Sequence, residues 1–113
     1  MKSSVVSRQL SVGAGRDNGY LYERQAQICK VFANPTRLHV LDLLGRKARG
    51  VSELQAALGV SKANLSQHLA ILRNVGTVVT RRNGKQVYCA LAFPEIKQAC
   101  GLMRQVLRRL RSR

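Results

Sequence analysis

VSELQAALGVSKANLSQHLAILRN, residues 51–74, contains two helix starts with a stop between them. Ser52 precedes Gln55 by three positions, the spacing of a capping box in which the hydroxyl accepts the Gln55 N–H and the amide reaches back. Leu54, Ala57 and Leu58 recur at helical spacing, and Gly59 ends the run by accepting a left-handed backbone that bulkier residues resist. Val60 fills the turn. Ser61 caps a second helix, whose Leu65, Leu69 and Leu72 fall at i, i+4, i+7 and face a core.

At about 100° per residue, inward leucines turn Ala63, Ser66, Gln67 and Ala70 outward, flanked by Lys62 and Asn64. Serine and glutamine hydrogen-bond base edges, and alanine lets a helix come close to the floor of a DNA groove. An ordinary solvated face would carry Glu–Lys pairs at i, i+4, yet no acid lies between Glu53 and Glu95. The stretch reads as a helix-turn-helix. Its recognition helix offers Ser61, Lys62, Ala63, Asn64, Ser66, Gln67 and His68 to DNA. His68 stands at the edge of the core by its angle, so packing remains open beside base or phosphate contact.

Beyond Gly76 the period changes from helical to β. Thr77–Arg82 and Lys85–Leu91 form two strands joined across Asn83-Gly84, a strong hairpin signal because both residues tolerate positive φ. Arg81, Arg82 and Lys85 crowd the tip, while Val87, Cys89 and Leu91 alternate toward the helices. A basic hairpin after a recognition helix is a wing placed to meet phosphates or a neighbouring minor groove; a merely solubilising tip is the alternative. Pro94-Glu95 opens a last helix, with proline in the first turn and an acid at the positive dipole end. Ile96, Cys100, Met103, Leu107 and Leu110 form a seam along it that fits a partner helix, most simply its two-fold mate. Arg104, Arg108, Arg109, Arg111 and Arg113 occupy its other faces.

Working toward the N-terminus, Arg46–Gly50 is a basic link. A second helix carries Leu38, Leu41 and Leu44 and closes at Gly45. Asn34-Pro35-Thr36 starts it and ends a first helix over Tyr20–Phe32. Residues 1–18 read as a flexible basic tail, leaving 19–113 as the DNA-binding and dimerisation domain. Gly13, Gly15 and Gly19 lack the dinucleotide-binding spacing.

Composition narrows the partner. Twenty Lys and Arg against five acids give +15 in 113 residues, with a pI near 11.3, which points to a polyanion, nucleic acid before anionic membrane. No apolar run reaches the roughly 18 residues of a span, and Arg8 interrupts any signal-peptide core. A cytoplasmic protein with no membrane partner is expected. Aromatics at 4% without Trp favour duplex over single strands, which need stacking platforms. So short a chain buries a limited share of its surface, which favours a shared dimer core. The three cysteines are widely spaced and read as free thiols. An enzyme is disfavoured: the acids are scattered and no motif marks a nucleophile or metal-bound water. A nonspecific basic nucleic-acid-binding protein stays as a rival that would grip any duplex alike, whereas a repressor discriminates by about a thousandfold or more.

With these elements in place, the chain resembles the ArsR/SmtB family of bacterial repressors over about Tyr20–Leu110. The resemblance rests on Phe32-Ala-Asn-Pro-Thr-Arg-Leu38, Leu65-Ser-Gln-His-Leu-Ala-Ile-Leu-Arg73 and Gly84-Lys-Gln-Val-Tyr88. It implies a mainly α fold with a β-hairpin wing, a winged helix-turn-helix homodimeric through its first and last helices. It also implies a double-stranded inverted-repeat operator, release by a metal ion or other inducer, and no required cofactor. Carried over by position, DNA contacts fall to Lys62, Ala63, Ser66 and Gln67, with wing contacts from Arg82 and Lys85.

The same resemblance directs attention to the inducer. The family's zinc and nickel sites need Asp and His on the last helix; here that helix has no His and its matching region is arginine, which repels a dication. The family's Cys-x-Cys pair corresponds to Gly50-Val-Ser52 and is absent. His39 is a lone imidazole. Cys29, Cys89 and Cys100 remain as candidate metal ligands, and soft thiolates select thiophilic ions such as arsenite or antimonite. Cys29 and Cys100 would approach one another if first and last helices pack together. Lys97 and Arg104, at i−3 and i+4 from Cys100, are expected to favour its thiolate. Three readings stay open: a three-thiolate As(III)/Sb(III) site, a Cys29–Cys100 switch closed by oxidants or reactive sulfur, and cysteine as a small buried hydrophobe.

Overall fold

The computed structural model describes the backbone of residues 12–112 and side chains from residue 18 onward. The elements are α1 (Val12–Phe32), α2 (Pro35–Arg46), β1 (Arg49–Gly50), α3 (Val51–Leu58), α4 (Lys62–Asn74), β2 (Val78–Asn83), β3 (Gln86–Leu91) and α5 (Glu95–Arg111). Packing divides the chain into one unit ending at Lys30 and a second beginning at Val31.

In the first unit, α1 begins at Val12, well before the start expected at Tyr20. Of the tail expected over residues 1–18, residues 1–11 lie outside the described residues and 12–18 are helical. Once nucleated, a helix gains one hydrogen bond per added residue and needs no apolar stripe to extend. Tyr20, Leu21 and Tyr22 are exposed.

The second unit starts from a cap. Asn34 Oδ1 accepts the Arg37 N–H at 3.1 Å, and Pro35 occupies the first turn of α2, where its missing N–H costs nothing. Helix α2 buries Val40, Leu41, Leu43 and Leu44, while Leu38, expected on that stripe, is exposed. Gly45 does not close the helix. It lies in the last turn, where a Cβ would come within 3.1 Å of Lys97 Cγ, so the absent side chain is what admits α5.

Helix α3 starts earlier than the Ser52 box predicts. Gly50 is its cap, and the Glu53 carboxylate accepts the Gly50 N–H at 3.1 Å. The reason is tertiary: Gly50 already belongs to β1, paired with Tyr88, so its extended backbone sets the boundary. Gly59 adopts φ 68 and donates to Gln55 O at 2.9 Å, ending α3 as expected. Ser61 Oγ accepts the Asn64 N–H at 3.1 Å and starts α4, whose Leu65, Leu69 and Leu72 are buried with Leu54, Val78 and Cys89 in one core.

The link Arg46–Gly50 contains a strand the sequence did not signal, and the sheet order is β1-β3-β2, antiparallel throughout. Thr77 is not in a strand: its N–H and hydroxyl both donate to Leu72 O, at 3.1 and 2.9 Å, and close α4. Asn83 pairs with Gln86, so the hairpin loop is Gly84-Lys85 rather than Asn83-Gly84; Gly84, at φ 65, supplies the positive φ. The seam of α5 divides. Ile96 and Cys100 pack on the core, while Leu102, Met103, Val106, Leu107 and Leu110 are exposed. Asp42 Oδ1 accepts from Arg104 at 3.1 Å and Oδ2 from Arg46 at 3.2 Å, tying α2 to α5. Among the described residues, no helix is long and apolar enough to cross a membrane.

Candidate nucleic-acid interface

Capped by Ser61 and anchored by its leucines, α4 leaves Ser61, Lys62, Ala63, Asn64, Ser66 and Gln67 exposed, as the helical rotation requires. A concavity of about 580 Å³ separates α4 from the hairpin, and Lys62, Ser66, Arg73, Arg82 and Lys85 line it. Four cations thus share one groove with a single carboxylate, Glu53, which is engaged in capping α3. A groove of one charge sign focuses potential and attracts a polyanion. Arg73 was missed as a site residue in the sequence, although the signal existed: it lies at i+7 from Ser66 and therefore on the same flank.

The wing cations do not act as one cluster. Arg82 and Lys85 face α4, whereas Arg81 lines a separate concavity of about 550 Å³ with Val79, Asn83 and Cys89. Neighbouring side chains on a strand point to opposite faces, so adjacent arginines cannot serve the same groove. Truncating Arg82 or Lys85 to alanine is expected to reduce the slope of log K against log salt by about one per protomer. Arg81→Ala should leave it nearly unchanged, which a salt titration of duplex binding checks.

His68 is half-buried, and its Nδ1 accepts from Arg37 Nε at 3.1 Å. Arg37 Nη1 also donates to Val31 O at 2.9 Å. Burial first, and then the Arg37 charge, lower the His68 pKa below the usual imidazole value. The folded state therefore binds this proton less readily than the unfolded state, and stability rises with pH across that window. The contribution is present above the unfolded value, about 6.5, and is lost as pH falls through it toward the lower folded value. Between about pH 7.5 and 5.5, melting of the native protein should fall more than that of His68→Asn.

The cysteines occupy three environments. Cys29 is exposed on α1, Cys89 is buried beneath the wing and Cys100 is half-buried on α5. Burial pushes the Cys89 thiol up against the opposing pull of Arg73. Cys100 is also raised, by burial above all, with Arg104 pulling down and Asp42 pushing up. The expectation that neighbouring cations favour its thiolate is corrected: burial outweighs the pull of Arg104. Among the described residues, no group of three or more His, Cys, Asp or Glu is arranged to hold a metal ion. An alkylating reagent should leave Cys89 unmodified in the native protein and reach it only on unfolding, as mass spectrometry would show.

Residues 34–79, from the Asn34 cap through α4 into β2, match the bacterial regulatory protein, arsR family. The uncharacterized HTH-type transcriptional regulator Rv0081 of Mycobacterium tuberculosis (strain ATCC 25618 / H37Rv) is 38% identical over 93 residues, covering 81% of this chain and 82% of its own. The chain belongs to the ArsR family. The crystal structure of Rv0081 superposes with a TM-score of 0.75 over 81% of this chain and 93% of that one, at 38% identity. The homodimeric winged helix-turn-helix domain Mb0332 of Mycobacterium bovis, solved by NMR, gives a TM-score of 0.74 at 28% identity, over 89% and 90% of the two chains. The transcriptional repressor BigR of Xylella fastidiosa gives 0.73 at 30% identity, over 80% and 93%. Members of this family are DNA-binding transcriptional regulators rather than enzymes. This ArsR-family chain is accordingly a winged helix-turn-helix regulator.

Proposed function

We propose that this regulator is a homodimeric repressor that occupies an inverted-repeat operator and is released when a thiol-reactive inducer, arsenite or antimonite first, engages its cysteines. The observation that carries the DNA half is the acid-free outer face of α4 beside a groove holding Lys62, Arg73, Arg82 and Lys85. Two such surfaces, set by a two-fold axis, would enter successive major grooves about 34 Å apart. The exposed Leu102, Met103, Val106, Leu107 and Leu110 of α5 support a helix-mediated dimer, as does the homodimeric state of the Mb0332 domain. BigR is a repressor, and the same sign of regulation is assigned here.

Cys100 lies beside the Asp42–Arg104 pair, and a ligand there would disturb the tie between α2 and α5. A coupling of about 1–3 kcal/mol is typical of allosteric regulators and loosens an operator several-fold to a hundredfold. Arsenous acid suits raised thiols, since each thiol proton leaves with a hydroxide of the reagent as water. Cys29, Cys89 and Cys100 are the candidate ligands, within or across protomers.

The burial of Cys89 favours a second reading in which Cys89 fills the core and Cys29 with Cys100 respond to oxidants or reactive sulfur. Anisotropy of the protein on its upstream DNA, titrated with arsenite under a phosphine reductant, tests both. Release at about two equivalents per dimer, lost in Cys100→Ser, supports the metalloid reading. Retention with arsenite but release by polysulfide supports the second. Equal grip on scrambled duplex would instead leave a nonspecific basic binder.

A further inference from the structure

The two flanks of α4 are equipped differently. Lys62, Ser66 and Arg73 line the wing groove, whereas His68 meets Arg37 from the first turn of α2. Arg37 is held from three directions. Its backbone N–H bonds the Asn34 cap, Nη1 bonds the Val31 carbonyl, and Nε bonds His68 Nδ1, at 3.1, 2.9 and 3.1 Å. A planar fork with several fixed N–H directions can meet two such acceptors at once, which a lysine ammonium on a flexible stem cannot reproduce.

The acceptor settles the ring's chemistry. A neutral imidazole carries its proton on one nitrogen only, and the hydrogen bond made by one nitrogen dictates the state of the other. With Nδ1 accepting, the proton sits on Nε2. We propose that Arg37 is a positioning residue for operator recognition: it fixes His68 as the Nε2–H tautomer, so that His68 serves as a neutral hydrogen-bond donor to the DNA backbone on the flank of α4 away from the wing. The inference rests on the DNA-binding reading and adds to it a residue outside the recognition helix and the wing. Arg37 thereby connects the end of α1, the cap of α2 and the reading helix through one side chain. Burial and the nearby guanidinium favour the uncharged ring, so the donor brings hydrogen-bonding direction without adding to the counterion-releasing charge.

The test combines tautomer spectroscopy with binding. Long-range proton–nitrogen correlation on the free, full-length protein at about pH 7.5, above the usual imidazole value, should show His68 as the Nε2–H form, and Arg37→Lys should mix the two tautomers. His68→Asn keeps an acceptor near the Nδ1 position but loses the outer donor, whereas His68→Gln restores an amide N–H at the longer reach. On the upstream duplex, His68→Asn should bind about tenfold more weakly, with an unchanged salt slope because a neutral donor releases no counterion. His68→Gln should recover part of that loss. An Nδ1–H or doubly protonated ring in the native protein, or an Arg37→Lys spectrum identical to it, overturns the role of Arg37. Full operator affinity in His68→Asn, or a reduced salt slope, overturns the neutral donor. A native protein that binds upstream and scrambled duplex equally refutes operator recognition and with it the donor role. That failure is distinguishable because the tautomer is read without DNA.

Discussion

Replacing Leu107 with glutamate is expected to separate the proposed dimer and to weaken operator binding by a factor of about a hundred or more. Leu107 is 53% exposed on α5, within a face that includes Leu102, Met103, Val106 and Leu110. Apolar surface of that extent on a terminal helix is stabilised by covering it, at about 25 cal/mol for each Å² removed from water. A carboxylate at its centre would be buried without a partner across the two-fold axis and would face its own copy. The isolated helix should survive, because position 107 is exposed in the single chain and Arg111 lies at i+4, where it can pair with the new carboxylate. The loss in DNA binding follows from separation: two tethered recognition helices bind with a high effective concentration, and two free ones do not. Sedimentation velocity should show a monomer with native circular dichroism, and anisotropy on a full operator should fall to the level of a half-site. A Leu107→Glu protein that remains dimeric would remove α5 from the interface.

Leu65→Ala is expected to cost about 3–5 kcal/mol of stability. Leu65 is fully buried, in one core with Leu41, Leu54, Leu72 and Val78, so truncation loses the transfer energy of the removed atoms and leaves a cavity the helices cannot fully close. Against a total of about 5–15 kcal/mol for a domain, this removes a large share. DNA binding should fail with it, since the residue that anchors the inner face of α4 is adjacent to the Ser66 and Gln67 that read outward. Denaturant unfolding at fixed protein concentration measures the loss; Ser66→Ala, on the exposed face, is the control and should leave stability nearly unchanged while weakening DNA binding.

Local signals were sufficient wherever a residue's role depends on its own backbone or helical angle. Gly59 in the turn, Ser61 at the cap, and the leucines of α4 all stand where periodicity and capping chemistry place them. The change of period after Gly76 and the Pro94-Glu95 start likewise placed the hairpin and the last helix. The readings that moved did so because a distant segment intervened. Gly50, rather than Ser52, starts α3 because β1 pairs with β3 across the sheet. Gly45, inside α2 rather than at its stop, is a gap into which Lys97 of α5 packs.

Charge and hydrogen bonding depend even more on tertiary placement. The residues around Cys100 in sequence are cationic, yet burial above all, with Asp42, outweighs the pull of Arg104 and gives it a raised rather than an activated thiol. Arg81 and Arg82 are neighbours in the chain and part company in space because a pleated strand alternates its faces. The partner of His68 lies 31 residues away, on another helix. Sequence by itself determined the fold class, the helix-turn-helix and the strongly basic charge, since periodicity, capping and net charge act locally or in sum. Only the tertiary structure decided which cations share a groove, which thiols are buried and which side chain meets His68, because those properties depend on distances between segments that only packing brings together.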